Sequence, residues 1–402
     1  MDAAALRVCN ATAKDGGVEG SVGMDSATDS GASNDEVDGI RGGGEGGGVG
    51  SGTDGGTGTG GGVEPATWLQ SPIGLAPNAA SALWNAMVYP HLRTVIRGVV
   101  WYQGEADTQA GYPVGSHASA VNYACTFPAL IASWRAHWHS ATEGLTDPRM
   151  PFGFVQLSTW ADHANNTCGD RRTRADAISC DVAVVRWGQT ANIGRVPNTR
   201  MPNTFMAVAV DLGDSSSPFG DIHPRYKQLV GTRLALASRS VAYEDVAVPA
   251  GGWTGPLAST AVSVDNAPGQ VRIQFEHTNG APLQLKHGVG FECSPSPCNM
   301  TFPSSEPHGT WLPANVSSVT SAAITLHCAD FNGTTPRCVR YNWYNAACMP
   351  VVGPEMCAVY GRGALGLWLP APLFVMQVVP PPPSLVEEQE VKPHTSLRRD
   401  VH

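Results

Sequence analysis

Residues 95–107 read VIRGVVWYQGEAD, an apolar run that ends abruptly in a polar turn containing a glycine. An unbroken run of this kind, here 95–102, is typical of a strand buried on both faces of a parallel sheet. Two similar runs follow at 152–158 and 205–211, and helix-like stretches occur at 81–92, 118–139 and 224–243. Strands and helices that alternate in this way predict an α/β fold with a parallel sheet.

Composition divides the chain into four parts. Residues 1–67 form a glycine-rich, acidic arm, and the first 66 of them carry eleven Asp or Glu and three Lys or Arg. Such a segment buries too little apolar surface to fold, so we predict that it is disordered. We place a partial α/β domain at 68–245 and a β-rich accessory domain at 246–378, where short apolar runs alternate with turns. Residues 379–402 are predicted to be a disordered tail.

The charge distribution and hydropathy exclude several classes of protein. The arm accounts for −8 of the formal net charge of −9, so the remaining body is nearly neutral. A nearly neutral body with an acidic arm is not expected to bind nucleic acid. No apolar run reaches the about 18–20 residues that a membrane span needs, so we expect none. The first residues, MDAAALRVCNATAKDGG, lack the pattern of a signal peptide.

The ten cysteines favour disulfides over free thiols or a metal site. Six of them lie between 293 and 357, and the paired C-x2-C knuckles of a zinc site are absent. The chain also has five N-x-S/T glycosylation acceptors, at Asn10, Asn165, Asn299, Asn315 and Asn332. Both features fit an oxidising, glycosylating compartment. No metal and no organic cofactor is indicated by the sequence.

Polar residues follow the predicted strands, at the edge where open parallel sheets bind their ligands. Gln103 and Gly104 form a turn in which a side-chain amide and a backbone N–H can donate to a developing oxyanion. His223 precedes the last predicted helix, and Asp221 lies two residues away, as suits a general base oriented by a carboxylate. An ordinary turn and a surface histidine are the alternatives.

Five segments together resemble the sialate O-acetylesterase family of SGNH, or GDSL-like, hydrolases. They are GVVWYQGEAD at 98–107, PFGFVQLS at 151–158, RWGQTAN at 186–192, MPNTFMAVAVDLGD at 201–214 and DIHPRYKQLVGTRLA at 221–235. The resemblance implies a three-layer α/β/α hydrolase domain, here incomplete, with an accessory β domain. It implies removal of O-acetyl groups from sialic acids by a serine nucleophile, in a glycosylated protein that is lysosomal or secreted.

The resemblance also assigns roles to residues of this chain. His223 corresponds to the catalytic base and Gln103 to the oxyanion donor. The residues that we predict to contact the substrate lie in the family-like segments: Gly104, Glu105, Gln156, Arg186 and Gln189.

The chain departs from the family pattern in two respects. No segment resembles the G-Q-S-N block that holds the family's nucleophile, and the usual D-x-x-H spacing falls on Gly220 rather than on an acid. The partner of the histidine is therefore open among Asp221, Asp214, Asp211 and no carboxylate at all.

We expect an amino-terminally truncated member with impaired esterase activity. A non-catalytic carbohydrate-binding remnant and a gene product without a stable fold are the alternatives. Without the family's first strand, residues 95–102 are expected to leave an unpaired apolar edge.

Overall fold

The structure of the protein is a computed structural model. It describes residue 9 and residues 81–108, 117–160, 180–220, 223–298, 310–329, 331, 334–348 and 357–381. The described residues from Leu92 onward form one compact unit that also contains Cys9, and residues 81–91 belong to a second unit. The predicted disorder of residues 10–67 and of the tail beyond 381 lies outside the described residues.

A parallel sheet forms the centre of the first half of the fold. Among the described residues its strands are β1 (Val99–Trp101), β2 (Phe152–Gln156) and β3 (Thr204–Val208), in the order β1-β2-β3. Both neighbouring pairs are parallel, and every residue of β2 and β3 is buried. Burial on both faces explains their unbroken apolar runs. The predicted α/β class with a parallel sheet is confirmed.

Helices cover both faces of this sheet. Within the described ranges the α-helices are α1 (His117–Ala141), α2 (Asp181–Gly188) and α3 (Lys227–Val241). Side chains alternate along β2, so Phe154 packs against Phe127 of α1, whereas Val155 shares a core with Val230 of α3. In the part of the chain that the structure describes, no helix has both the length and the apolar character to cross a membrane.

The last helix of the first half begins later than predicted. The sequence suggested a start at Pro224, but α3 begins at Lys227. The backbone N–H of Arg225 donates to Asp214 Oδ2 at 3.1 Å, so this residue belongs to the preceding loop. Tyr226, the residue before the helix, has a ψ of 39°, outside the helical range, so the helix begins only after it.

Two other elements differ from the sequence prediction. Residues 81–92 were predicted as one helix but form a π-helical turn, Trp84–Val88, followed by a 3₁₀ turn, Tyr89–His91. The strand predicted at 95–102 retains only the three residues of β1. Among the described residues β1 pairs with β2 alone, and the Val100 side chain is 64% exposed, as an incompletely covered apolar edge requires. In addition, the sequence did not predict α2.

The carboxyl-terminal half is β-rich, as predicted. Its longer strands are β4 (Leu257–Ser263), β5 (Gln270–Glu276), β7 (Phe291–Ser294), β8 (Leu312–Val319), β9 (Ala323–Cys328), β10 (Cys338–Tyr341) and β13 (Phe374–Val379). They close into a barrel in the order β10-β13-β4-β5-β9-β8-β7, which removes open strand edges. A small antiparallel sheet has the order β12-β11-β6, from Trp368–Pro370, Val359–Arg362 and Gln284–Leu285.

Disulfides join the cysteines that the structure describes. The pairs are Cys9–Cys125, Cys293–Cys328, Cys298–Cys338 and Cys348–Cys357, and Cys180 is also disulfide-bonded. The predicted preference for disulfides over free thiols is therefore confirmed for these residues. Cys293–Cys328 connects two strands of the barrel, β7 and β9, and Cys298–Cys338 ties the segment after β7 to β10.

Arg186 on α2 joins the sheet to the β-rich half. Its guanidinium is fully buried and donates to the carbonyl oxygens of Leu157 at 2.9 Å and Ser158 at 2.6 Å, just after β2. It also donates to the carbonyl oxygens of Tyr344 at 2.6 Å and Asn345 at 2.9 Å, just after β10. Burial lowers the pKa of Arg186 to about 9, so the side chain remains a cation at neutral pH.

A buried ion pair makes a second connection between the halves. Arg233 of α3 binds Asp211, which follows β3, through two hydrogen bonds of 2.5 and 2.8 Å. The hydroxyl of Tyr360 on β11 donates to Asp211 Oδ2 at 3.0 Å. The charge of each partner is therefore compensated inside the protein, as burial of ionised groups requires.

Replacing Arg186 with methionine is expected to destabilise the protein strongly. The Arg186→Met substitution leaves buried carbonyl oxygens without donors, each at a cost of about 1–3 kcal/mol, so we expect a total loss of about 3 kcal/mol or more. Urea unfolding measures the change. The matched control is Arg195→Met, which removes an exposed arginine whose contact with Glu276 is 3.8 Å long. Equal stability of the two variants would contradict the role given to Arg186.

Candidate functional site

The turn after β1 brings Gln103 and Gly104 to the carboxyl edge of the sheet. Gly104 has a φ of 140°, a conformation that residues with a side chain rarely adopt. A Cβ atom here would lie 3.0 Å from Val185 Cγ1 and 3.2 Å from Leu157 Cδ1. The turn therefore packs directly on α2 and on the end of β2, and this close approach requires glycine.

Two contacts orient the side-chain amide of Gln103. The hydroxyl of Tyr123 on α1 donates to Gln103 Oε1 at 3.1 Å. Gln103 Nε2 in turn donates to Asp107 Oδ2 at 2.6 Å, across the 3₁₀ turn Glu105–Asp107. An amide nitrogen carries two N–H groups, and Asp107 takes one of them. The other is the donor that the predicted oxyanion role needs.

The side chain of Gln189 binds the turn at Gln103 from the protein interior. Its side chain is fully buried, and Nε2 donates to the carbonyl oxygens of Val155 at 2.8 Å and Gln103 at 3.4 Å. Its Oε1 accepts from the backbone N–H of Leu157 at 3.1 Å. One side chain therefore ties the turn after β1 to the end of β2.

Gln156 and Arg186 are buried behind the same edge. Gln156 is fully buried, and its Nε2 donates to the carbonyl oxygen of Arg186 at 3.4 Å. Substrate contact by Gln156, Arg186 and Gln189 stays a prediction, but all three are inaccessible to solvent in this structure. Their contacts favour a role in positioning the turns that carry Gln103 and Gly104.

The loop that carries His223 is braced by its own hydrogen bonds. Ser217 Oγ donates to the carbonyl oxygen of His223 at 2.7 Å and accepts from the N–H of Phe219 at 3.3 Å. His223 Nδ1 lies 2.9 Å from the carbonyl oxygen of Phe219. Since a carbonyl only accepts, Nδ1 carries the proton in this contact, and Nε2 keeps a lone pair in the neutral ring. A general base needs this tautomer.

Two of the three candidate acids, Asp214 and Asp211, are bound by arginines. Asp214 accepts from Arg225 Nε at 2.6 Å and Nη2 at 2.9 Å, and these bonds hold the pKa of Asp214 far below its usual range. Asp211 belongs to the buried ion pair described above. The predicted acid Asp221 lies outside the described residues. Among the residues that are described, neither a carboxylate nor a serine hydroxyl is hydrogen-bonded to the imidazole of His223.

Lys227 connects the start of α3 to the turn after β1. Its Nζ donates to the hydroxyl of Tyr102 at 3.1 Å and lies 4.3 Å from the centroid of that ring. Partial burial lowers the pKa of Lys227, and the negative charge of Glu105 opposes this effect. Burial also raises the pKa of Tyr102, so its hydroxyl keeps its proton at neutral pH.

The two carboxyl groups of the 3₁₀ turn are partly desolvated. Burial raises the pKa of Glu105, although Lys227, and His223 when it is protonated, act in the opposite direction. Burial also raises the pKa of Asp107, opposed by the hydrogen bond from Gln103. Of these two carboxyl groups, Glu105 is the one that interacts electrostatically with both His223 and Lys227.

The arrangement offers proton transfer and oxyanion stabilisation at one edge of a sheet. A neutral imidazole accepts a proton, and an oriented amide donates a hydrogen bond. Within the described ranges, no group of three His, Cys, Asp or Glu side chains is arranged to hold a metal ion.

The sequence analysis missed two contributors to this edge. Tyr123 orients Gln103 from the middle of α1, and no pattern in the sequence connects the two residues. Lys227 lies four residues after His223, in the same family-like segment, and this proximity was the available signal.

Comparisons with known proteins agree on one family. Residues 260–378 match the family model described as sialate O-acetylesterase C-terminal domain. The chain is 36% identical to sialate O-acetylesterase of Mus musculus, over 75% of this chain and 48% of that protein. It is 35% identical to sialate O-acetylesterase of Homo sapiens, over 74% of this chain and 49% of that protein. The chain therefore spans about half the length of these curated relatives.

A solved structure is also similar. It is a carbohydrate acetylesterase from Xanthomonas citri, with 26% sequence identity and a TM-score of 0.49. The similarity covers 73% of this chain and 53% of that one.

Adding a side chain at Gly104 is expected to displace the turn. The Gly104→Ala substitution combines a strained φ with close contacts to Val185 and Leu157, and we expect a loss of about 1–3 kcal/mol in the free energy of unfolding. Thermal unfolding measures it. The control is Gly231→Ala in α3, where a Cβ would meet nothing within 4 Å and helix propensity improves. A neutral effect at Gly104 would contradict the described packing.

Neutralising Glu105 is expected to stabilise the protein at neutral pH but not in acid. The raised pKa means that the folded state favours the protonated carboxyl, so stability from this group is gained as pH falls. Glu105→Gln should therefore raise the melting temperature at pH 7, and the gain should shrink as pH drops through the pKa. Melting curves across pH test this, with the exposed Glu143→Gln as control. A gain that grew in acid would contradict the assignment.

Proposed function

Because this chain is homologous to the sialate O-acetylesterases over three quarters of its length, we propose that it derives from a carboxylic ester hydrolase that removes O-acetyl groups from sialic acids. Its first half corresponds in this proposal to an incomplete SGNH-type three-layer domain, and its second half to the accessory β domain. The parallel sheet with helices on both faces supports the first assignment, and the barrel supports the second.

The observation that carries the proposal is the geometry around His223. With Nδ1 on the carbonyl oxygen of Phe219, Nε2 is the atom that accepts the proton of an attacking hydroxyl. The second N–H of Gln103 Nε2 stabilises the oxyanion that forms when the acetyl carbonyl is attacked. The same imidazole then returns its proton to the departing sugar oxygen, which completes acyl transfer.

We further propose that hydrolysis by this 402-residue chain is weak. No segment of the sequence resembles the nucleophile block of the family. Without an attacking serine, an oxyanion donor and a base supply only residual assistance.

The second candidate is a carbohydrate-binding protein without turnover. The chain keeps Gln103 and His223 at the carboxyl edge of the sheet, but its sequence lacks a nucleophile block. This combination favours a binding protein over an unrelated activity. Acetate release and glycan binding together distinguish the two, since a binding protein holds the sugar with an affinity that is insensitive to His223→Ala and releases no acetate above the uncatalysed rate.

We also propose that the protein works in an oxidising compartment, lysosomal or secreted. The disulfides support this proposal, because such bonds persist in secreted proteins and are rare in the cytosol.

Acetate release from a 9-O-acetylated sialic acid tests the activity. We expect turnover roughly 10⁶-fold below that of the mouse relative, because a triad serine contributes about that factor. Any release above the uncatalysed rate should be lost in His223→Ala and kept in His327→Ala, which removes an exposed histidine of the barrel. Turnover equal to that of the relative would overturn the proposed weakness, and turnover unaffected by His223→Ala would overturn the assigned base.

A further inference from the structure

We propose that Lys227 and Tyr102 together form a binding site for the carboxylate of an acidic sugar, and that this site separates sialic acids from neutral acetylated sugars. The proposal rests on the proposed function, because it concerns the ligand of the same sheet edge. It assigns a specificity-determining role to two residues outside the base and the oxyanion donor.

The position of the pair places it next to both reacting groups. Tyr102 directly precedes Gln103, and Lys227 follows His223 by four residues. The hydrogen bond between Lys227 Nζ and the Tyr102 hydroxyl closes the distance between these two segments. A sugar held by this pair therefore lies beside the turn and the loop that carry the predicted chemistry.

The pair presents two donors for one anion. An ammonium group has three N–H donors, and the Tyr102 oxygen accepts one of them. Because that oxygen accepts from Lys227, its own O–H is available to donate elsewhere. The two heavy atoms are 3.1 Å apart, close enough to bind the two oxygens of one carboxylate.

The positive charge of Lys227 is available to a ligand. Arg225, on the same loop as His223, is held bidentately by Asp214. By contrast, none of the ion pairs formed by the described residues includes Lys227. Glu105 influences the lysine electrostatically without such a contact. The Lys227 side chain is also exposed, so a sugar reaches it from solvent.

The chemistry of the ligand matches this site. Sialic acids carry a carboxylate that is ionised at neutral pH, whereas acetylated neutral sugars carry no charge. A charge-assisted hydrogen bond is about twice as strong as a neutral one. A cation fixed beside the reaction centre therefore selects the acid among sugars with the same ester.

Calorimetric titration with two ligands tests the proposal. N-acetylneuraminic acid carries the carboxylate, and its methyl ester is the neutral counterpart. We expect the unchanged protein to bind the acid about 10-fold more tightly than the ester. Lys227→Met should remove this preference, because it weakens binding of the acid more than binding of the ester. Tyr102→Phe should reduce the preference less, because the ammonium remains.

Two variants control for charge removal and for misfolding. Lys286→Met removes a lysine with the same 4.3 Å approach to a tyrosine ring, that of Tyr360, in the β-rich half. It should keep the preference for the acid. Lys227→Arg should also keep it, because the cation is retained, and the melting temperature of each variant shows whether the fold is intact.

The outcomes separate this proposal from the one on which it rests. Equal affinities for the acid and the ester, or a preference that survives Lys227→Met, overturn the carboxylate site while the sugar site stands. Binding of neither ligand by the unchanged protein overturns the proposed function, and the carboxylate site with it.

Discussion

The four hydrogen bonds from the buried Arg186 guanidinium hold the loop after β2 and the segment after β10 at a fixed separation. Because the cation is surrounded by carbonyl oxygens rather than by a carboxylate, its charge is balanced by backbone dipoles from both halves of the molecule. The loop after β2 begins at Leu157, which also bonds to Gln189 and lies under Gly104. The buried side chains of Arg186 and Gln189 thus position the carboxyl edge of the sheet.

The two groups that we propose for catalysis, Gln103 and His223, are oriented by contacts that leave one N–H of the amide and one nitrogen of the ring available. Gln103 is held by Tyr123 and Asp107, which fix the amide but use only one of its N–H groups. His223 is held through Nδ1 by a backbone carbonyl, which leaves Nε2 to accept a proton. A carbonyl oxygen orients the ring as a carboxylate does, but it offers less stabilisation to the imidazolium. The proposed base is therefore held in the tautomer it needs, with less support for its protonated form than a carboxylate gives.

Patterns that arise from burial were predictable from the sequence, and contacts between distant segments were not. The strands β2 and β3 were predicted because burial on both faces leaves unbroken apolar runs. The predicted start of α3 was wrong because Tyr226 has a non-helical backbone, and Asp214 holds Arg225 in the preceding loop through a contact that no local sequence pattern shows. At the site, the turn at Gln103 and the loop at His223 were predicted because each follows the end of a predicted strand. The contact of Tyr123 with Gln103 was not predicted, because it depends on how α1 packs against the turn. The burial of Arg186 was not predicted either, because it depends on contacts with the β-rich half.

The Cys9–Cys125 bond has a consequence for the integrity of the molecule. It closes a loop of 116 residues and attaches a residue near the amino terminus to the middle of α1. A protease that cuts any peptide bond within this loop therefore produces two polypeptides that remain one covalent molecule. Such a nicked form runs as a single species on a non-reducing gel and separates into two bands only after reduction. Release of the chain between Cys9 and the cut requires a second event, either reduction of the bond or a second cut within the same loop.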